Sequence, residues 1–176
     1  MKLIESKTLA TAAASIEFTS IPQDGTDLLI LASLRTASGA DLSNVGLNMT
    51  INGVSTNRTA RRLFGNAGSA GSDSGTGAAI RAALPTSTST ANTFGNLSIY
   101  LPNYSGSTNK SFSLESVAEN NSSTVYEIDM TAGLWSDTAA VSSFLISVGD
   151  SSNLVAGSTI SLYKITKGSD GIVTTS

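Results

Sequence analysis

The 176-residue chain contains neither cysteine nor histidine. Without thiols there are no disulfides, zinc ribbons, iron–sulfur clusters or cysteine nucleophiles. Without imidazole there is no serine or cysteine triad of the usual kind and no two-histidine metal helix. Charge is scarce too, at 13 % of residues, and its balance is acidic: ten Lys and Arg against 13 Asp and Glu, with a pI near 4.8. That balance argues against a phosphate-neutralising surface over the whole molecule, so no nucleic-acid partner is expected. Long apolar runs are missing. The longest, Leu28 to Ala32, is far too short to cross a bilayer, and Glu5 and Lys7 interrupt any apolar segment behind Met1 and Lys2. Neither a membrane span nor a signal peptide is expected, and the protein reads as made in a cytoplasm.

What the chain does have is hydroxyl: 30 Ser and 21 Thr, with a mean hydropathy of +0.11. The apolar residues recur at period two rather than 3.6. Ile16 and Phe18 fall on one face of Ser15–Ile21, after a first strand at Lys2–Leu9. Leu28 to Ala32 reads as a central strand covered on both faces. Leu47, Met49 and Ile51 alternate up to Asn52-Gly53, a hairpin signal whose return strand would be Ser55 to Phe64. Further strands are predicted at Asn96–Leu101, Ser111–Ala118, Thr124–Met130, Ser142–Val148 and Ser158–Ile165. Helix is predicted only for the short stretch Ala78–Leu84 and a turn near Asp137–Ala140. About ten short strands separated by Gly, Asn and Ser clusters predict a single all-β domain over residues 1–176, an antiparallel β-sandwich of jelly-roll type.

Gly65 to Gly77, GNAGSAGSDSGTG, has no large side chain and reads as a long flexible loop. Around it lie the five arginines, Arg35, Arg58, Arg61, Arg62 and Arg81, a local cationic region in an acidic protein. Arginine is enriched at protein interfaces, so Arg58, Arg61, Arg62, Phe64, Asn66 and Arg81 are the candidate interface residues.

Catalytic patterns fail on spacing or on missing partners. The glycine-rich stretch lacks the Gly-Lys-Ser/Thr of a phosphate loop, and Gly71-Ser72-Asp73-Ser74-Gly75 places Asp where a nucleophile elbow needs Ser. Gly149-Asp150-Ser151 has no histidine to take a proton, and serine–lysine chemistry with Lys110 or Lys164 as base is only formally possible. Glu127 and Asp129 share one face of a strand, and at i, i+2 on the polar side of an alternating strand they read as a solvated pair rather than as glycosidase acids. Trp135, Tyr100, Tyr104, Tyr126 and Tyr163 could stack on sugars, although Tyr126 and Trp135 are more simply core or rim residues. No catalytic residue, cofactor or metal is expected.

Three stretches carry a family resemblance. They are Ala12-Ala13-Ala14-Ser15-Ile16-Glu17-Phe18-Thr19-Ser20-Ile21 with Thr26–Leu31; Arg62-Leu63-Phe64-Gly65-Asn66 with Leu101-Pro102-Asn103-Tyr104-Ser105 and Asn109-Lys110-Ser111; and Gly133-Leu134-Trp135 with Ala139–Ser143 and Gly157–Ile165. Together they resemble the small β-sandwich structural proteins of tailed bacteriophage virions, which occur free-standing and as fibre domains. Lys164 departs from the pattern, where the family has Gly after Leu-Tyr. The resemblance implies a virion structural protein without catalysis. It leaves the position on the virion open; a free-standing sandwich of this size suits a capsid decoration (cement) protein on the outer capsid surface, synthesised in the host cytoplasm and acting as a homotrimer with the major capsid protein as partner. The alternative, suggested by the Tyr and Trp residues and the hydroxyl-rich composition, is a receptor-binding head- or tail-fibre module that recognises host glycans.

Overall fold

The computed structural model describes residues 1–42, 45–76, 79–121, 126–168 and 172–173. Among them are twelve strands and no α-helix: β1 (Lys2–Thr8), β2 (Ser15–Phe18), β3 (Asp27–Leu34), β4 (Gly46–Ile51), β5 (Arg58–Asn66), β6 (Ser69–Thr76), β7 (Ala79–Arg81), β8 (Gly95–Leu101), β9 (Lys110–Ala118), β10 (Glu127–Trp135), β11 (Phe144–Val148) and β12 (Thr159–Ile165). They form two antiparallel sheets. The larger has eight strands in the order β1-β12-β3-β8-β9-β10-β5-β6, and the smaller has four in the order β2-β11-β4-β7. The expected all-β sandwich is present, with more strands than the ten expected and than the eight of a jelly roll.

The core lies where the two sheets face each other. Alternate residues of β2, β4 and β11 (Ile16, Phe18, Leu47, Met49, Ile51, Phe144, Ile146 and Val148) meet Leu28, Ile30, Leu34, Leu97, Ile99, Leu101, Phe112, Leu114, Ile160 and Leu162 of the larger sheet. From β10 only Trp135 joins this core, and no residue of β5 or β6 does. The larger sheet therefore runs on past its apolar cover.

Four sequence expectations need correction. First, β3 is central between β12 and β8 but covered on one face only, with Leu31 exposed. Second, Ala79–Arg81 is strand, paired with Gly46–Asn48, where helix was expected; Ala78 lies outside the described residues. Third, Gly65–Gly77 is not a long loop. Ser69–Thr76 pairs residue for residue with Thr59–Asn66 around a two-residue turn, Ala67-Gly68, whose φ values of 45° and 82° suit the right-handed twist of a hairpin (Gly77 lies outside the described residues).

Fourth, Asn52-Gly53 does make a tight turn, with φ of 51° and 76° and Val54 N–H donating to the Ile51 carbonyl at 2.8 Å, but no strand returns along β4. The chain instead crosses to the larger sheet as β5, beside β10. The turn is kept for another reason. Asn52 Oδ1 accepts from Ser142 N–H (2.8 Å) and Ser143 N–H (3.1 Å), while its Nδ2 donates to the Ala140 carbonyl (2.8 Å), fixing the entry to β11. Asn52→Ala removes these bonds and leaves a β-carbon at positive φ without local compensation. It is expected to cost about 2–3 kcal/mol, read as a midpoint shift in urea without a change in slope.

Candidate functional site

Where the larger sheet outruns its cover, the usual alternation is turned over. In β10 the residues facing inward are Glu127, Asp129, Thr131, Gly133 and Trp135, while Ile128, Met130, Ala132 and Leu134 face water. A strand has period two, so one anchored position sets every other side chain. Trp135, fully buried in the core, and Gly133, which lies under the Phe112 ring, are the anchors. They impose the inward parity on Glu127 and Asp129. The two carboxylates are thus buried, at 3 % and 1 % exposure, rather than the solvated pair that their spacing suggested.

Their burial is compensated by Arg62 on the neighbouring strand β5. Its Nη1 donates to Glu127 Oε1 and to Asp129 Oδ1, both at 2.8 Å, and its Nε and Nη2 grip the two oxygens of Asp73 on β6 at 3.2 and 2.9 Å. Asp129 also accepts from Ser116 Oγ (3.1 Å), which in turn accepts from the Ala83 N–H (2.8 Å). The Phe64 ring lies 4.2 Å from the guanidinium carbon, adding a cation–π contact. Burial alone would weaken the Arg62 charge, but the Asp73 hydrogen bonds and the three surrounding carboxylates hold its pKa above the usual value.

Three carboxylates for one cation leave an excess of negative charge. Burial and the neighbouring Asp129 push Glu127 up to about 7 against the pull of Arg62. Among the described residues Glu127 Oε2 has no hydrogen-bond partner, so a proton held there would turn an unsatisfied acceptor into a donor. The folded-state value lies above the ordinary 4.5, so the folded state takes up a proton and stability falls as pH rises from about 4.5 through about 7. Asp27 has the opposite sign. Burial raises its pKa, but hydrogen bonds from Lys167, Tyr100 and the Asn103 N–H outweigh this, so its stabilisation is present above about 3.8 and lost as pH falls through the lowered value. Melting temperature is therefore expected to be higher near pH 5 than near pH 8. Glu127→Gln should flatten that difference, and a wild-type Tm that is level across this range would refute the assignment.

The opposite surface of the same strands is apolar. One cross-strand row holds Val117, Ile128 and Gly65; the next holds Glu115, Met130, Leu63 and Ser72; the third holds Ser113, Ala132, Arg61 and Ser74; the fourth holds Ser111, Leu134, Thr59 and Thr76. Leu63 is 62 % exposed, and Ile128 and Met130 are each 57 % exposed. Two shallow grooves cross this face, of about 370 Å³ beside Tyr126, Val117 and Ile128 and about 580 Å³ beside Met130, Leu63 and Ser72.

The six candidate interface residues are divided by this geometry. Arg58 is buried, with Nη2 donating to the Ser55 carbonyl at 3.0 Å, and burial lowers its pKa to about 10. Arg62 is buried among its carboxylates, and Phe64 is half-buried against it. Asn66 is half-buried at the hairpin end, and Arg81 is exposed on β7 across a cleft from Asp73. Arg61 alone stands on the outward apolar face. Sequence reasoning missed Leu63, Val117, Ile128, Met130 and Leu134, although the alternation of Tyr126, Ile128 and Met130 was visible. The parity signal was Trp135, five residues beyond the predicted end of that strand; Thr124 and Val125 of the prediction lie outside the described residues.

The aromatic residues do not gather on one surface. Trp135 and Tyr104 are fully buried, and the Tyr104 hydroxyl donates to the Pro22 carbonyl while accepting the Gly25 N–H at 3.2 Å. Tyr163 and Tyr100 flank Leu29 in one row across β12, β3 and β8. Lys110, weighed above as a base, is fully buried with its ammonium donating to the carbonyls of Gly106, Thr108 and Thr138 at 2.7, 2.5 and 3.3 Å. Lys164 pairs with Asp24. Comparison of the chain with protein-family models, with curated proteins and with solved structures finds no match.

Proposed function

We propose that this chain is a structural protein of a tailed-bacteriophage virion, a capsid decoration protein that binds the major capsid protein on the outer surface and stabilises the shell. The observation that carries this reading is the outward face of β9, β10 and β5, where large apolar side chains stand in water while Arg62, Glu127 and Asp129 are turned inside. A sheet built this way is made to be covered by protein. Its work is binding: each copy that binds the assembled lattice and not its unfolded parts stabilises it by mass action. The family resemblance supplies the virion setting and a homotrimer as the acting unit. The capsid contact is assigned to the other exposed features of the larger sheet, the open edge of β1 and the Ala67-Gly68 hairpin tip.

Quantitative mass spectrometry of purified particles tests this reading. About one copy per major capsid protein is the expected result, and a few copies confined to the tail would overturn it. The alternative, a receptor-binding module for host glycans, rests on the Tyr100–Leu29–Tyr163 row rather than on Trp135, which is buried. Glycan-array binding lost in a Tyr100→Ala, Tyr163→Ala variant would favour it.

A further inference from the structure

We propose that the outward face of β9, β10, β5 and β6 is covered by another copy of this same chain. The inference rests on the reading of that face as a protein-binding surface and names what binds it.

Size is the first consideration. Leu63, Val117, Tyr126, Ile128, Met130 and Leu134 together leave roughly 500–600 Å² of side chain in water, the upper end for a monomer's largest patch and most of the ~800 Å² each partner covers in a stable complex. The rim is no obstacle to close approach: Ala70, Ser72, Ser74 and Thr76 on one side and Ser111 and Ser113 on the other are all small.

Charge identifies the partner. The outward positions of these four strands carry two charges only, Arg61 and Glu115. They stand on opposite flanks of β10: Arg61 opposite Ala132 on the β5 side, and Glu115 opposite Met130 on the β9 side. Arg61 Nη1 reaches only the adjacent Ala60 carbonyl, and Glu115 has no ion-pair partner among the described residues. Laying the β5 flank of one copy on the β9 flank of another sets Arg61 against the neighbour's Glu115, with the Met130–Leu63 stripe closing between them. One chain therefore offers both halves of the contact, as a homo-oligomer requires. The free edge of β6 borders the same face. Ala70, Ser72, Ser74 and Thr76 lie at the non-hydrogen-bonded positions of the β5–β6 ladder, so their N–H and C=O groups point away from β5 toward a further strand.

Native mass spectrometry and sedimentation of the isolated protein at about 1–100 μM test this. Wild type is expected to be oligomeric, a dimer or trimer. Met130→Lys should give monomers with an unchanged circular-dichroism spectrum, because that side chain points into water. Arg61→Glu and Glu115→Arg should each weaken association at least tenfold, and the double variant should return it to within a few-fold of wild type. A monomeric wild type, or a double variant that stays dissociated, overturns the proposal. If wild type is monomeric and Met130→Lys abolishes incorporation into particles, the face belongs to a capsid protein; the second copy is then wrong and the virion reading stands. An oligomer with reciprocal rescue that is absent from purified particles has the converse meaning.

Discussion

Arg62→Met lowers the melting temperature by on the order of 10 °C near neutral pH, the largest loss expected from any single charge in the molecule. The substitution retains most of the aliphatic stem but leaves Glu127 and Asp129 buried, 65 and 67 residues away in sequence, with no cation between them. Removing one partner of such a cluster costs about 3–5 kcal/mol, because the remaining charges keep their desolvation penalty and lose its compensation. The loss should shrink on acidification, as protonation of the carboxylates relieves the uncompensated charge. Adding Glu127→Gln should recover part of it at neutral pH. A neutral-pH Tm within about 2 °C of wild type would show that the network is not what holds β10 to β5. Asp73→Asn serves as the control: Asp73 is 42 % exposed, so its loss costs much less.

Gly133→Val should be at least as damaging, for a reason unrelated to charge. Gly133 lies directly opposite Phe112 on β9, and the Phe112 ring lies flat over it, so that any β-carbon would stand inside the ring's van der Waals envelope. Phe112 is 4 % exposed and belongs to the core, so the ring has no free volume to move into. The strand must bend or the ring must leave its rotamer, at about 3 kcal/mol or more for a branched side chain. Loss of soluble protein at 37 °C is the expected outcome. A Phe112→Ala, Gly133→Val double variant, which opens the space the methyls need, should fold better than Gly133→Val alone. If it does not, the clash is not the cause.

Much of the fold was legible from hydrophobic alternation. Ile16/Phe18, Leu47/Met49/Ile51, Leu97/Ile99/Leu101 and Phe144/Ile146/Val148 each belong to one continuous buried surface, and burying them together leaves little choice but two facing sheets. The strand β6 was illegible for a physical reason. Ser69 to Thr76 contains no apolar residue larger than alanine, so nothing in its side chains favours extended structure. It is strand because the Ala67-Gly68 turn folds it back on β5, whose backbone completes the ladder, and because Gly71 leaves room for the Phe64 ring. The site was harder still. Glu127 and Asp129 alternate with Ile128 and Met130, and either face of that segment can be turned in. The choice is made by Trp135 at the far end and by Arg62 on another strand, and a local window contains neither. The arginine cluster did mark this part of the chain, but composition could not separate Arg62, spent inside, from Arg61, left outside.

The position of β12 between β1 and β3 bears on how the chain comes to be folded during synthesis. At 5–20 residues per second, on the order of 10–30 s separate the emergence of β1 from that of β12. Throughout that interval the seven residues of β1 have no neighbour to pair with, while β8, β9 and β10 can already assemble as a meander from contiguous sequence. The sheet is completed from its middle outward, and its first-made strand is the last to dock. A nascent chain therefore carries an unpaired strand until β12 has been made. Lys2, Glu5 and Lys7, spaced along that strand, are the charges that keep it from pairing with another chain while it waits.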